Sequence, residues 1–211
     1  MHEMNTTAPD RGHRTQEERR AETRAKLLDA TIQSVLEVGY TNTTTRRVAE
    51  LAGVSQGAQT HHFPHRVDLV GAAVERLAQR RVSELREMAA QLSADPVEKV
   101  RALLDLIWAD FSSSTFVVFV KLWIAAADDA ELYARLVPVE RQIARAIAET
   151  TAQLGGQMPA GSDWEVLFSL TLATIRGLAL TESFEPHGRK RRDPWPEIRD
   201  ALLDAFGDRL G

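Results

Sequence analysis

Helix start signals recur along this chain, and no segment shows the sustained period-two alternation of a β-strand. Thr15 with Glu18 forms a capping box, in which a hydroxyl and a carboxylate satisfy free amides of a starting helix. Asp95-Pro96 with Glu98 supplies a second start, with an N-cap, a first-turn proline and an acid three residues on. The sequence therefore predicts an all-α protein of about nine helices, without internal repeats.

The predicted helices end at residues that disfavour continuation. Gly39 can adopt the positive φ of a C-cap and closes the first helix, and Thr43 is placed to cap the next. Pro64 stops a short helix over 56–63 that follows one over 44–52. Longer helices are expected over about 66–91, 96–112, 116–127, 128–154 with a kink at Pro138, 162–184 and 193–210, where Asp128, Ser162 and Asp193 supply the caps.

The composition of the chain indicates in which cellular compartment we expect the protein. The 211 residues are 44% hydrophobic and 27% charged, which is enough apolar material for a core. The absence of cysteine excludes a disulfide framework and thiolate metal sites. The longest apolar stretch, 116–127, contains Lys121 and is shorter than the ~20 residues of a membrane-spanning helix. Residues 1–14 are polar and lack a signal-peptide core, so a disordered arm on a cytoplasmic protein without a membrane partner is expected.

Positive charge is concentrated near the first third of the chain. The net charge is −4, yet residues 39–66 contain three arginines and three histidines against the single acid Glu50. Local charge matters more than the total for nucleic-acid binding. A mildly basic segment within an acidic protein is a weak indication by itself, and it needs a structural motif.

The two short predicted helices form a helix-turn-helix pattern around Gly53-Val54-Ser55. Such a motif needs a bracing first helix, a small residue at the turn and a second helix whose outer face can enter the major groove. On the second helix Gln59 and Phe63 share the inner face. The pattern alone is equally compatible with two packed helices that bind nothing.

Many residues at fixed spacing resemble the DNA-binding domain of the tetracycline-repressor (TetR/AcrR) family. They lie within residues 15–77 and comprise Gly39-Tyr40, Thr43-Thr44, Arg46, Val48-Ala49-Glu50, Ala52-Gly53-Val54-Ser55, Gly57, His61-His62-Phe63-Pro64, Arg66 and Leu69. The resemblance covers about a third of the chain. It implies a DNA-binding domain over 15–65 and a ligand-binding and dimerisation domain over 66–211.

The resemblance also implies which residues contact DNA. Helix N-terminal amides with Thr43 and Thr44 would hold phosphate, Arg46 would reach phosphate or a base edge, and Gln56 could pair with adenine. The full set is Thr43, Thr44, Arg46, Gln56, Gly57, Ala58, Thr60, His61, His62 and Arg66. The chain departs from the family at two positions: the family usually has an aliphatic residue at the position of Gln59 and a tyrosine at the position of Thr60. These departures make the operator sequence less predictable.

In the body, the resemblance implies a two-fold homodimer that binds a palindromic operator and leaves it when a small-molecule effector binds. The candidate ligand-lining residues are Met88, Trp108, Phe111, Phe119, Trp123, Phe168 and Arg176. Arg176 lies in an otherwise apolar helix and could hold an anion or pair with an acid of a neighbouring helix. The candidate dimer residues are Leu170, Ala173, Thr174, Gly177, Leu202 and Phe206.

Other interpretations of the charged clusters are weaker. His61, His62 and His65 could suggest a metal site, but adjacent helical residues point about 100° apart and do not converge. Residues 189–192 are all basic and fit a solvated loop or an accessory DNA patch. No nucleophile elbow, phosphate loop or metal-ligand spacing is present, so we expect no enzyme, catalytic residue, metal or cofactor. A DNA-binding factor without ligand control remains the main alternative.

Overall fold

The computed structural model describes residues 15–91, 95–155, 164–183 and 193–210, and within these ranges all regular structure is helical. This confirms the predicted all-α class. The nine helices of the described ranges are α1 (Gln16–Asn42), α2 (Thr45–Ala52), α3 (Gln56–His62), α4 (Arg66–Ala89), α5 (Pro96–Phe111), α6 (Ser114–Ala126), α7 (Ala130–Gly155), α8 (Trp164–Ser183) and α9 (Trp195–Leu210).

Several predicted caps are confirmed by their hydrogen bonds. The Thr15 amide donates to Glu18 Oε2 at 2.8 Å, while Thr15 Oγ1 accepts from the Glu18 amide at 3.1 Å. Asp95 accepts from the Glu98 amide at 2.9 Å, and Asp193 accepts from the Trp195 amide at 2.9 Å. These caps rest on contacts within three residues, so the sequence alone can locate them.

Two predicted caps are wrong by one residue. Thr44, not Thr43, caps α2 and accepts from the Arg47 amide at 3.1 Å. Asp129, not Asp128, accepts from the Leu132 amide at 2.9 Å at the start of α7. In each case two neighbouring residues could cap equally well by chemistry, and tertiary packing selects one. The predicted Ser162 cap lies outside the described residues, and Pro138 lies inside α7.

The end of α1 links the first three helices to the body. Gly39 has the predicted positive φ, 77°, but one further turn follows it. The Tyr40 side chain in that turn is buried, and its hydroxyl donates to Asp129 Oδ2 at 3.1 Å. The Arg66 guanidinium carbon lies 4.1 Å from the centre of the Tyr40 ring. Tyr40 thus joins the end of α1 to the start of α7 and to the beginning of α4.

Three apolar clusters make up the core. One joins α1, α2 and α4 through Leu27, Val48 and Leu69. A second joins α1, α4, α6 and α7, and a third joins α5, α6, α8 and α9. Because α1 and α4 contribute to the first two clusters, the N-terminal helices pack continuously onto the body. The boundary predicted after residue 65 falls at the start of α4, which belongs to both regions.

The apolar α6 is largely internal, although it is not buried all round as expected. Phe116, Val118 and Leu122 are buried, whereas Ile124 is 59% exposed. No single helix within the described ranges has the length and apolar character needed to cross a membrane. The segments 97–111 and 114–126 reach that length and composition only as a pair, bent by 56° at their junction. Their burial in two core clusters accounts for their hydrophobicity.

Candidate nucleic-acid interface and interior cavity

The turn between α2 and α3 is built on Gly53. Gly53 has φ 65° and ψ 34°, the left-handed conformation that closes α2. Its amide donates to the Glu50 carbonyl at 3.2 Å, and the Val54 amide donates to Ala49 at 3.0 Å. Ser55 then caps α3 by accepting from the Ala58 amide at 3.1 Å. The predicted helix-turn-helix is therefore present, with its turn and cap at the expected residues.

Gly53→Ala is expected to destabilise the fold by ~1–2 kcal/mol, because a Cβ disfavours the left-handed conformation even where there is space. An added Cβ would meet nothing within 4 Å at Gly53, so steric clash does not contribute. Urea denaturation measures the change. Gly57→Ala is the matched control: Gly57 lies within α3 with ordinary helical φ, so alanine should stabilise by ~0.5–1 kcal/mol. Unchanged stability of Gly53→Ala would contradict this account of the turn.

The outer face of α3 is open to solvent. Gln56, Gly57, Thr60 and His61 are exposed, and Ala58 is half-buried. On the opposite face Gln59 is 1% exposed and Phe63, just beyond the helix, is buried. The predicted division of this helix into an inner and an outer face is therefore confirmed.

Gln59 satisfies its amide group without rotating α3. Its Nε2 donates to the Phe63 carbonyl at 2.8 Å, and its Oε1 accepts from Gln56 Nε2 at 2.9 Å and from Thr60 Oγ1 at 3.4 Å. Gln56 Nε2 also lies 3.5 Å from Thr45 Oγ1 on α2. A buried glutamine thus holds two side chains of the outer face, a role that an aliphatic residue cannot perform.

Polar and basic groups flank this face on α2. Thr44 is exposed at the first turn, where backbone amides of a helix favour an anion. The Arg46 side chain is 84% exposed, and its Nε pairs with Glu50 Oε1 at 3.0 Å. An exposed pair of this kind contributes little to stability, so Arg46 can exchange Glu50 for another anion at small cost.

The structure gives two of the predicted contact residues internal roles. Thr43 is fully buried; its hydroxyl donates to the Gly39 carbonyl at 2.8 Å and lies 3.0 Å from Ser34 Oγ. The Thr43 hydroxyl is therefore committed to α1 and is not exposed for the expected phosphate contact. Arg66 Nη1 donates to the carbonyls of Tyr40 and Thr41 at 3.4 and 3.3 Å, which makes it a brace of the α1 end.

His62 lies beside a pair of α1 arginines that the sequence reasoning missed. Burial lowers the pKa of His62 below its usual value, and the nearby positive charges of Arg20, His61 and Arg24 lower it further. Arg20 and Arg24 are exposed and four residues apart, hence on one face of α1. The Arg24 guanidinium carbon lies 5.4 Å from the Phe63 ring centre, beside the end of α3. The spacing of Arg20 and Arg24, four residues apart in the first helix, is the sequence signal that could have identified this basic pair.

A cavity of about 620 Å³ that is partly open to solvent lies between the second and third core clusters. This volume is within the ~300–1,000 Å³ of typical small-molecule sites. Side chains from α4 to α8 form its largely apolar and aromatic wall: Arg81, Phe111, Phe116, Phe119, Val120, Trp123, Ile124, Tyr133, Leu136, Glu140, Ile143, Ala144, Ile147, Arg176 and Leu180.

The cavity brings together Phe111, Phe119, Trp123 and Arg176 from the predicted lining set. The other three predicted lining residues, Met88, Trp108 and Phe168, do not line this cavity. Met88 is 41% exposed and lines a separate cavity of about 360 Å³, while Phe168 is buried in the third core cluster. Trp108 stacks on Trp195 with ring centres 5.1 Å apart. The aromatic residues correctly indicated which helices surround the cavity. The orientation of each helix about its own axis decides which of their side chains reach it.

Arg81 was not expected at this site. It is 7% exposed and pairs with Asp110, while its Nε has no hydrogen-bond partner among the described residues. Its guanidinium carbon lies 5.8 Å from the ring centres of both Phe111 and Phe119. Burial lowers the pKa of Arg81 to about 10, so it stays charged at neutral pH. On α4 it follows Arg76 and Arg80, which pair with Asp29, and the sequence does not distinguish the three.

Four of the predicted dimer residues lie on one exposed face of α8. Leu170 is 60% exposed, and Ala173, Thr174 and Gly177 continue the same face at helical spacing. Val166 extends it and is 61% exposed. Leu202 on α9 is instead half-buried against the third core cluster, and the side chain of Phe206 lies outside the described residues.

Within the described ranges, no three His, Cys, Asp or Glu side chains come together as metal ligands. The rings of His61 and His62 meet edge to face with centres 5.9 Å apart. Residues 189–192, for which we considered a DNA patch or a solvated loop, lie outside the described residues.

Comparison with known proteins identifies the family. Residues 27–73 match the sequence profile of bacterial regulatory proteins of the tetR family. The HTH-type transcriptional regulator CymR of Pseudomonas putida is 30% identical over 200 residues, which cover 93% of this chain and 95% of CymR. The chain belongs to the tetR family. This TetR-family protein is a DNA-binding transcriptional regulator, a class that is not enzymatic.

Other relatives share nearly the full length of this TetR-family regulator. An uncharacterised HTH-type transcriptional regulator of Mycobacterium tuberculosis is 29% identical, covering 91% of this chain and 98% of the relative. A Saccharomonospora viridis regulator crystallised with choline has a TM-score of 0.68 at 18% identity, covering 89% and 96% of the two chains. A Pseudomonas aeruginosa regulator has a TM-score of 0.68 at 21% identity, covering 94% and 95%. These structures share the fold.

Proposed function

We propose that this regulator is a homodimeric repressor that binds a palindromic operator and is released by a small-molecule ligand. The observation that carries the proposal is the exposed outer face of α3, held in place by the Gly53 turn and by buried Gln59. A small, polar face of this kind on a helix-turn-helix fits the major groove. The cytoplasm, where bacterial DNA lies, is the proposed site of action.

On DNA, α3 would present Gln56, Gly57, Ala58, Thr60 and His61 to base edges. Gln56 is positioned for the bidentate contact that glutamine makes with adenine, although it must first release Gln59 Oε1. Thr60 is held by the same oxygen and stands where the family usually has a tyrosine. The shorter side chain favours contact with a base or a water over a reach to phosphate.

Phosphate contacts would fix the register of α3 in the groove. Thr44 and the first amides of α2 lie on one side, and Arg46 can exchange Glu50 for a phosphate. On the other side His62 lies next to Arg20 and Arg24 of α1. We therefore add Arg20 and Arg24 to the proposed contacts and leave Thr43 and Arg66 in structural roles.

Dimerisation would use the exposed face of α8. Leu170, Ala173, Thr174 and Gly177 are small or apolar, and Gly177 has open space above it. Such a face allows close approach of a second helix, and a self-complementary patch is what a two-fold dimer requires. α9, which carries Leu202 and Phe206, packs beside α5 and completes the proposed interface.

Ligand control would act through α4. This helix begins beside the DNA-binding motif at Arg66 and carries Arg81 in the cavity wall. A ligand that binds one arrangement of α4 more tightly shifts the population toward it, and coupling of ~1–3 kcal/mol is typical. The distance between the two α3 helices would then no longer match the spacing of the operator half-sites, which would weaken operator binding.

Selection from a random double-stranded DNA library tests the proposed DNA recognition. The full chain should enrich one sequence with two-fold symmetry, because each subunit reads one half-site. Gel shift with the enriched duplex and with a scrambled duplex of equal composition then measures specificity, which is typically at least ~1,000-fold. Absence of any enriched sequence at low salt would contradict the proposal.

A further inference from the structure

The charged side chains of the cavity wall differ in their exposure. Arg81 and Arg176 line the cavity together with one acid, Glu140. Arg81 is 7% exposed, whereas both Arg176 and Glu140 are exposed. Water screens both of these exposed charges, while the buried Arg81 guanidinium acts through a less polar medium. The buried part of the wall therefore presents the Arg81–Asp110 pair, with the Arg81 guanidinium next to two aromatic rings.

Arg81 has donor capacity that the protein leaves unused. Asp110 takes one Nη2 hydrogen through a single carboxylate oxygen, Oδ2. Nε is buried and has no acceptor among the described residues. A buried donor without an acceptor destabilises the protein by about 1–3 kcal/mol, so an acceptor from a ligand would be bound favourably.

Arg176 supplies a second cation at the same ring. Its guanidinium carbon lies 5.9 Å from the Phe111 ring centre, and Arg81 approaches that ring to 5.8 Å. An ion pair with an acid of a neighbouring helix was the alternative for Arg176, but it forms none with any residue that the structure describes. Both guanidinium groups thus approach the same aromatic ring of the cavity wall.

We propose that the cavity binds an organic anion, an apolar body with one carboxylate-type or sulfonate-type group that accepts from Arg81 and Arg176. This deepens the proposed ligand control and rests on it. Aromatic and aliphatic side chains such as Phe119, Trp123 and Ile147 would cover the apolar body. A quaternary ammonium such as choline needs open aromatic faces and negative charge. Here the faces of Phe111 and Phe119 already lie beside guanidinium groups, so a cation is repelled.

A pair of fluorescent probes tests the charge preference directly. 8-Anilinonaphthalene-1-sulfonate carries a sulfonate, and N-phenyl-1-naphthylamine has the same ring system without it. The full-length protein should bind the anionic probe at least about tenfold more tightly, since charge-assisted hydrogen bonds are about twice as strong as neutral ones. Choline should not displace the bound anion. Equal affinity for the two probes, or displacement by choline, would overturn the assignment.

Two variants assign the effect to the named groups. Arg176→Gln should weaken the sulfonate probe about tenfold and leave the neutral probe unchanged, because only a charge-assisted contact is lost. Asp110→Asn should tighten the sulfonate probe several-fold, because Arg81 is then no longer neutralised by a carboxylate. Circular dichroism checks the fold of both. Arg145→Gln, at an exposed α7 position outside the cavity wall, should change neither affinity.

The outcomes distinguish failure of the anion assignment from failure of the proposed ligand control. If both probes bind and Arg176→Gln weakens the binding of neither probe, or of both equally, the anion assignment is wrong, although the cavity still binds small molecules. Val120→Trp adds a large side chain at a half-buried position of the cavity wall and should weaken both probes. If neither probe binds, or if Val120→Trp changes neither affinity, both the anion assignment and the ligand role of this cavity are contradicted.

Discussion

Gly57→Glu is expected to lower affinity for the selected duplex by at least about 100-fold while the protein stays folded. Gly57 lies on the exposed face of α3, and an added Cβ would meet nothing closer than Ser55 Oγ at 4.0 Å. Glutamate is therefore accommodated in the free protein. In the groove its carboxylate would face phosphates and bases without a partner, and like-charge contact costs several kcal/mol. Fluorescence anisotropy with the labelled duplex measures the loss.

Gln91→Glu is the matched control for charge. Gln91 is exposed just after the end of α4, and the substitution adds the same −1 charge away from α3. We expect less than a twofold change in affinity at physiological salt, where distant exposed charges are screened. Full binding by Gly57→Glu, or equal loss in both variants, would show that α3 is not the reading helix.

Leu170→Glu is expected to produce monomers and to reduce operator affinity by at least about 100-fold. Leu170 is 60% exposed, so glutamate leaves the fold of the single chain intact. In the proposed dimer two such carboxylates would be buried close together, and buried unpaired charges are strongly unfavourable. Loss of the linked second half-site removes the avidity of a dimer, which spans about 10²–10⁴ in affinity. Light scattering after size-exclusion chromatography measures the mass.

Val97→Glu provides the corresponding control on another surface. Val97 is 43% exposed in the first turn of α5, where an acid is compatible with the helix dipole. This variant should remain dimeric and bind the duplex normally. A wild-type protein that is monomeric at micromolar concentration, or a dimeric Leu170→Glu variant, would contradict the α8 interface.

Local chemistry explains why much of the fold was predictable. The capping box at Thr15, the Ser55 cap and the Gly53 turn depend on residues within a few positions of each other. Where two candidates were adjacent, as at Thr43 and Thr44, local chemistry did not choose between them. Packing against Ser34 of α1 does so, because it withdraws the Thr43 hydroxyl from the helix end.

The cavity was harder to predict because it depends on contacts between distant helices. Phe111 reaches the cavity, whereas Trp108, one turn earlier, stacks on Trp195 of α9. Nothing within α5 distinguishes these two aromatic residues. Arg81 is similar: Asp110, 29 positions away, draws it inward, while Arg80 pairs with Asp29. Charged residues on an amphipathic helix are expected at the surface, so burial of one of them requires the tertiary structure.

Gln59 shows how a departure from a family pattern acquires a physical meaning. From the sequence, a glutamine on the inner face of α3 required either a partner or a rotated helix. The structure provides the Phe63 carbonyl as acceptor and directs the remaining oxygen to Gln56 and Thr60. The exposed face of α3 is therefore ordered by a buried residue on the opposite face of the same helix.

Hydroxyl-radical footprinting of the selected duplex tests the central claim most directly. Two bound α3 helices related by a two-fold axis should protect two patches on one side of the duplex, with centres ~34–36 Å apart or a multiple of that distance. Protection should disappear with Gly57→Glu and persist with Gln91→Glu. A single protected patch, protection that follows no sequence, or an unchanged footprint with Gly57→Glu would contradict the account.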